Sequence, residues 1–203
     1  MDMFRITKSK LREDLLALYF TNPDKKYYLR ELEKILNFSV GNIRRELIKL
    51  ESTGLFLSES KGNLLYYYLN QSYPLFKELK SIIFKTSGVP RMLHNVLEKF
   101  DDIDQAFIYG SFAKREERED SDIDLLIIGK IDEDKLIEEV GKLERKLQRE
   151  INYAIYEKED FKKKKEEGNS FILDISKEKK IFLIGDENGL QRYSKNNVEP
   201  RFN

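Results

Sequence analysis

FIYGSFAKREEREDSDIDLLIIG, residues 107–129, is the one stretch in which a phosphate-binding turn and paired carboxylates sit between two apolar runs. Residues 106–109 and 125–128 are short, apolar and β-prone, which predicts two buried strands. Gly110 and Ser111 break the first run, and a short helical turn is expected over 112–115. A glycine lets a phosphate approach the backbone closely, while the serine hydroxyl and the free N–H groups of a helix start can donate to its oxygens. Asp122 and Asp124 come next, flanking Ile123. Residues two apart on a strand share a face, so both carboxylates project together while Ile123 points into the opposite, buried layer. Two hard oxygen ligands on one face suit a magnesium ion that carries a nucleotide's phosphates. An acid-apolar-acid triplet alone is also what a solvated strand start looks like in a charged protein, and the spacing to the glycine-serine turn is what separates the two readings.

Taken as a unit, GS, ten residues, then DID and LLII resembles the signature of the nucleotidyltransferase superfamily, in particular its minimal, antitoxin-like and kanamycin-nucleotidyltransferase-like members. The flanks FAKREEREDSDIDL are similar to the family's FARGEE…SDIDL, except that Arg115 stands where a glycine is frequent. The resemblance implies that Gly110 and Ser111 hold a triphosphate and that Asp122 and Asp124 bind the catalytic metal, with Mg2+ as cofactor and an NTP as substrate or ligand.

One departure bears on activity. Active members supply a third carboxylate from the following strand, expected here over 151–156, and the matching position is Asn152. An amide ligates a metal weakly and takes no proton at neutral pH. Glu150, two residues earlier, is a candidate third acid if the strand begins there; equally, it ends the preceding charged helix, expected over 132–149. Nucleotide and metal binding are therefore better supported by the sequence than turnover.

The chain has 203 residues, 40% hydrophobic and 36% charged, with no cysteine. That length suits one large or two small domains, and the missing cysteines exclude a disulfide framework and a thiolate metal site. No apolar run approaches the ~18 residues of a membrane span, and the first twenty residues mix charge with apolar positions, unlike a secretory leader. A cytoplasmic protein is the expectation. Abundant Lys and Glu also fit the surface chemistry of heat-adapted proteins. Net charge is zero but unevenly spread: 15 Lys and Arg stand against 10 Asp and Glu through Gly88, and 22 against 27 from Val89 on. A basic first part points to a polyanionic partner.

That first part predicts helices over 8–20, 30–36 and 39–52, with Ser39 as N-cap of the third, then a hairpin of 55–58 and 64–69 around the loop 59–63. The pattern RELEKIL…SVGNIRREL…LESTGLF resembles the winged helix-turn-helix of small bacterial and archaeal transcription regulators. The resemblance implies that 39–52 is a recognition helix for double-stranded DNA. Its outer face offers Asn42, Arg44, Arg45 and Lys49, and Lys61 stands at the wing tip. Asn and Arg can make bidentate contacts to base edges, Arg44 and Lys49 can equally reach phosphates, and the same residues would serve as an ordinary solvated face. Such a domain can also act only in protein interaction or dimerisation. Tyr66, Tyr67 and Tyr68 alternate between faces, so ordinary packing is expected rather than a base-stacking platform. A fourth helix over 73–85 carries Leu75, Phe76, Leu79, Ile82 and Ile83, a stripe that in regulators of this kind joins the first helix in a homodimer interface.

Residues 87–90 make the clearest boundary, so the expected organisation is a two-domain α/β chain. A winged helix-turn-helix fills 1–88, an α+β nucleotidyltransferase fold with a mixed sheet fills 89–190, and 191–203 form a flexible tail. His94, the sole histidine, is read as a packing or surface residue. The lysine run at 162–165 reads as a solvated face between glutamates, and a last strand is expected over 180–184. The functional expectation is a DNA-binding protein whose second domain transfers a nucleoside monophosphate from an NTP. Two alternatives stand beside it: a regulator that binds nucleotide without catalysis, and an antitoxin-like modifier of a partner protein.

Overall fold

The computed structural model describes residues 9–114 and 121–193. The chain divides into two compact units, one of 1–93 with 141–149 and the other of 94–140 with 150–203.

In the first unit, α1 (Lys10–Thr21) starts at Ser9, whose side chain accepts from the Arg12 N–H, and ends against Asn22. β1 (Tyr27–Tyr28) leads into α2 (Leu29–Leu36), which stops where Asn37 adopts a left-handed conformation, φ 57°. α3 (Val40–Ser52) follows. Ser39 occupies its N-cap position as expected, but by backbone only: its carbonyl accepts from Asn42 and Ile43, and its hydroxyl makes no capping bond. Leu15, Leu18, Leu32, Ile43 and Leu47 are fully buried, because the apolar positions of the three helices repeat at helical spacing and share one core. Tyr19 closes that core: its hydroxyl donates to the Tyr67 carbonyl at 3.1 Å, and its ring stands edge-on to Tyr27 and Phe56.

The hairpin of β2 (Phe56–Lys61) and β3 (Leu64–Leu69) is tighter than expected. Lys61 pairs with Leu64, so the turn is Gly62 and Asn63 alone rather than five residues, and Gly62 takes the positive φ of 61° that such a turn needs. β1 pairs with β3 to complete a three-stranded antiparallel sheet. Tyr67 is buried while Tyr66 and Tyr68 are half-exposed, as alternation requires. α4 (Phe76–Thr86) buries Ile83, rests Phe76 and Leu79 on the core, and leaves Leu75 and Ile82 exposed. α5 (Val89–Leu97) comes next.

The second unit is built on a four-stranded mixed sheet. β4 (Ile103–Tyr109), α6 (Gly110–Lys114), β5 (Ile123–Gly129), α7 (Glu133–Leu147, of which residues from 141 on are counted with the first unit) and β6 (Ile151–Tyr156) run in that order. Next come α8 (Lys158–Glu166), α9 (Ser170–Lys177), β7 (Ile181–Ile184) and α10 (Glu187–Arg192). The strand order is β6-β5-β4-β7, with β5 and β6 parallel and the other pairs antiparallel. β5 is central and covered on both faces, which is why Leu125, Leu126, Ile127 and Ile128 form an unbroken apolar run. Phe107, Leu126 and Ile128 pack with Phe161, Ile172, Ile175 and Leu190.

Two helices go beyond the sequence expectation. α9 is capped by the Asn169 side chain, which accepts from Ile172 N–H, and α10 by Asp186, which accepts from Gly189 N–H. The expected flexible tail from 191 begins inside α10 through Arg192, and the rest of it lies outside the described residues, as does Arg115. Among the described residues no helix is long and apolar enough to cross a membrane.

Candidate functional site

The C-terminal end of β4 lies beside the N-terminal end of β5, because Tyr109 pairs with Asp124 in the antiparallel register. The chain leaving Tyr109 enters α6 at once through Gly110, whose φ is +69°. A Cβ built on Gly110 would stand 2.5 Å from the Asp124 Oδ2. Glycine suits the backbone angle there, and any side chain at this position would push the Asp124 carboxylate from its place. The glycine-serine turn and the second aspartate of the triplet are therefore direct neighbours. Ser111 lies in the first turn of α6 and is half-exposed.

Ile123 is fully buried and Asp122 and Asp124 on either side are half-exposed, which is the alternation expected. Only Asp124 belongs to the regular strand; Asp122 immediately precedes it. The Asp124 carboxyl is pushed above the ordinary carboxylate range, first by burial and then by the negative charges of Asp122 and Glu178. The phenol of Tyr109 is raised to about 12, again by burial first and then by Asp124, Tyr156 and Glu178. Negative charge is thus concentrated at these strand ends.

β6 runs parallel to β5, and its register puts Asn152 opposite Asp124. Its amide Nδ2 donates to Asp122 Oδ2 at 3.0 Å, occupying with a donor the position where the resemblance calls for an acid. Glu150 lies before β6, exposed, and its backbone carbonyl accepts from Ile123 N–H at 2.9 Å. Among the described residues no group of three or more His, Cys, Asp or Glu side chains stands at metal-ligand spacing.

Glu178 and Lys114 belong to this site and were missed in the sequence. Glu178 caps the C-terminus of α9 and forms a 2.9 Å ion pair with Lys114 of α6, two half-exposed groups beside the aspartates. No local motif announces Glu178, since it reaches Asp124 only through the return of α9 to the sheet. A separate concavity of about 320 Å³, lined by Asp101, Asp104, Lys130, Glu157 and Lys158, lies at the opposite strand ends and has neither the turn nor the carboxylate pair.

A divalent cation fits the donor set. Burial first, and then the neighbouring Asp122 carboxylate, disfavour the charged form of Asp124, and magnesium takes one or two protein carboxylates, filling its other positions with water and phosphate oxygens.

In the first unit, Asn42, Arg44, Arg45 and Lys49 are all exposed on α3. Arg45 donates to Asn42 Oδ1, and Asn42, Arg45 and Lys49 border a shallow hollow of about 460 Å³ with Lys10 and Phe38. Arg44 faces Tyr67, whose phenol is raised by burial first and then by Glu51, with the Arg44 charge opposing both. Lys61 is exposed at the end of β2. Glu46, nearly buried on the same helix, is held by Arg12 and stands 3.9 Å from Lys49.

Residues 91–188, just under half of the chain, match the family described as polymerase beta, nucleotidyltransferase. A curated relative is 36% identical over 69 residues, covering 29% of this chain, and is named as an HTH-type transcriptional regulator of Methanocaldococcus jannaschii. The match spans only 18% of that relative's length. Among solved structures, a toxin-antitoxin with AMP-PNP is similar over 52% of this chain and 80% of its own, with 14% identity and a TM-score of 0.38. A mutant MntA–HpeT toxin-antitoxin is similar over 52% of this chain and 81% of its own, at 13% identity and a TM-score of 0.40. The family match and the curated relative together support a fusion of a helix-turn-helix regulator-like part with a nucleotidyltransferase-like domain.

Proposed function

We propose that the second unit binds an NTP with Mg2+ and transfers its nucleoside monophosphate to a hydroxyl acceptor, within a protein whose winged first domain binds duplex DNA. The observation that supports the nucleotide reading is the close approach of Gly110 to the Asp124 carboxylate, at the neighbouring ends of β4 and β5. Gly110 and Ser111 would receive the triphosphate, and Asp122 and Asp124 would hold the metal. When bound, that ion supplies charge neutralisation at the reacting phosphates. In the transfer, the acceptor oxygen forms a bond to the α-phosphorus, the bond to the bridging oxygen breaks, pyrophosphate leaves and the acceptor proton is lost. Lys114, held by Glu178, is the cation beside the turn available to triphosphate oxygens once that ion pair opens.

The hydrogen bond from Asn152 to Asp122 favours a second reading, in which the domain binds nucleotide without catalysis and serves a DNA-binding regulator as a sensor. Calorimetric titration with NTP and Mg2+, followed by mass analysis of the products, separates the two. Pyrophosphate release and a nucleotidylated acceptor, both lost in Asp122→Asn, support transfer. Binding without any product across small-molecule and partner-protein acceptors supports the sensor. An absence of Mg2+-dependent binding refutes both.

A further inference from the structure

We propose that Ile48 is a specificity-determining residue of the DNA-binding surface, reading the 5-methyl group of a thymine in the major groove. The proposal rests on the reading of the first domain as a duplex-DNA binder. α3 turns 100° per residue, and its buried stripe consists of Ile43, Glu46, Leu47 and Leu50. Diametrically opposite run Gly41, Arg45, Ile48 and Ser52, so the centre of the outward face is this line, and Asn42 and Lys49 lie toward its edge. Ile48 is 47% exposed, a large apolar side chain in the middle of that line.

Its surroundings select the occupant. Arg44, Arg45 and Lys49 flank it, all exposed. The acids of the same helix do not oppose an anionic partner: Glu46 is buried against Arg12, and Glu51 accepts from the Ser58 hydroxyl. Two turns away on the same line, a Cβ on Gly41 would meet nothing within 4 Å, so the N-terminal end of this outward face is open to close approach. A β-branched residue is also a poorer helix former than Lys, Arg or Ala at an exposed mid-helix position, so Ile48 contributes nothing to the free helix that those residues would not exceed. An apolar group ringed by cations matches the one base feature of the major groove that is apolar, the thymine methyl, set between phosphate backbones that the cations neutralise.

The test uses the full-length chain and a preferred duplex selected from a random pool. Each thymine of the selected site is replaced in turn by deoxyuridine, which removes the methyl and keeps every hydrogen-bonding edge. Burial of one methyl corresponds to about fourfold in affinity. The expected result is a loss of about that size at one position per half-site for the parent protein, and no loss there for Ile48→Ala. Circular dichroism and an unchanged salt slope for Ile48→Ala verify that fold and phosphate contacts persist. Equal discrimination by the parent and Ile48→Ala, a parent indifferent to deoxyuridine everywhere, or a selection that returns no preferred sequence overturns the role of Ile48 while leaving DNA binding intact. The absence of any salt-dependent duplex binding refutes the DNA-binding reading itself, and the role of Ile48 with it.

Discussion

Replacing Asn152 by Asp puts a carboxylate where the nucleotidyltransferase signature calls for one, and the structure sets what that costs. Asn152 lies opposite Asp124 in the β5–β6 register and donates to Asp122 at 3.0 Å. The substitution removes an exposed hydrogen bond to a charged group, worth about 0.5–1 kcal/mol after screening by solvent. It adds a repulsion between unit charges roughly 4 Å apart, about 1 kcal/mol in a largely aqueous dielectric. Without metal, Asn152→Asp should therefore lower stability by about 1–2 kcal/mol, or roughly 5–10 °C in the melting temperature of a domain of this size. Asn152→Ala, which loses only the hydrogen bond, should fall by less than half as much. Millimolar Mg2+ should recover most of the loss in Asn152→Asp and none of it in Asn152→Ala. Differential scanning calorimetry with and without Mg2+, read for all three proteins, is sufficient. A metal-free Asn152→Asp protein as stable as the parent, or one that Mg2+ leaves unmoved, would refute the placement of this side chain at a metal site.

Other outcomes follow from the same geometry. Asp124 has a folded-state pKa raised above its unfolded value, so its ionisation is a cost that appears as pH rises through that pKa and vanishes below it; Asp124→Asn should be more stable than the parent at pH 8 in chelator and no more stable at pH 3, while abolishing Mg2+-dependent nucleotide binding, as thermal scans and calorimetry would show. Gly110→Ala places a Cβ 2.5 Å from Asp124 Oδ2 at a φ of +69°, which should cost about 1–3 kcal/mol in urea titration and eliminate NTP binding. Arg45→Ala with Lys49→Ala should weaken duplex binding and reduce the slope of log affinity against log salt by about two, and an unchanged slope would place both side chains away from phosphates. If the exposed Leu75 and Ile82 of α4 form a homodimer contact, lysine at both positions should yield monomer in sedimentation velocity without loss of helicity, whereas a parent that is already monomeric would exclude that surface as a dimer contact.

The parts of the fold legible in the sequence were those set by local rules. The alternation around Ile123, the apolar run at 125–128, the helical repeat of Ile43, Leu47 and Leu50, and the break at Gly110 each depend on residues a few positions apart. The hairpin was placed but misread in length, because Glu59, Ser60 and Lys61 are polar as loops are polar, and pair nonetheless across the exposed half of the sheet with Tyr66, Leu65 and Leu64. α9 and α10 were missed although Asn169 and Asp186 are standard N-caps; each helix is short, and the charged flanks obscured the apolar spacing of Ile172 and Ile175. Within the candidate site, Gly110, Asp122 and Asp124 lie on one continuous motif. Lys114 and Glu178 carry no motif between them, and 64 positions of chain separate a pair that only the sheet topology brings together.

The Lys114–Glu178 pair also bears on how the negative charge of this site is balanced by the chain's own residues. Asp122, Asp124 and Glu178 concentrate negative charge at the ends of β4 and β5, and burial first and this charge second shift Asp124 and Tyr109 upward. Two contacts offset part of that cost: the Asn152 amide on Asp122 and the Lys114 ammonium on Glu178. Both are half-exposed or exposed, hence weak and readily exchanged. A buried arginine in either place would neutralise the charge permanently and compete with any incoming metal, whereas an amide and a lysine on a flexible stem release their partners at little cost. On the proposed nucleotide reading, this is the kind of compensation that a metal-bound triphosphate would displace, with Lys114 turning from Glu178 to a phosphate.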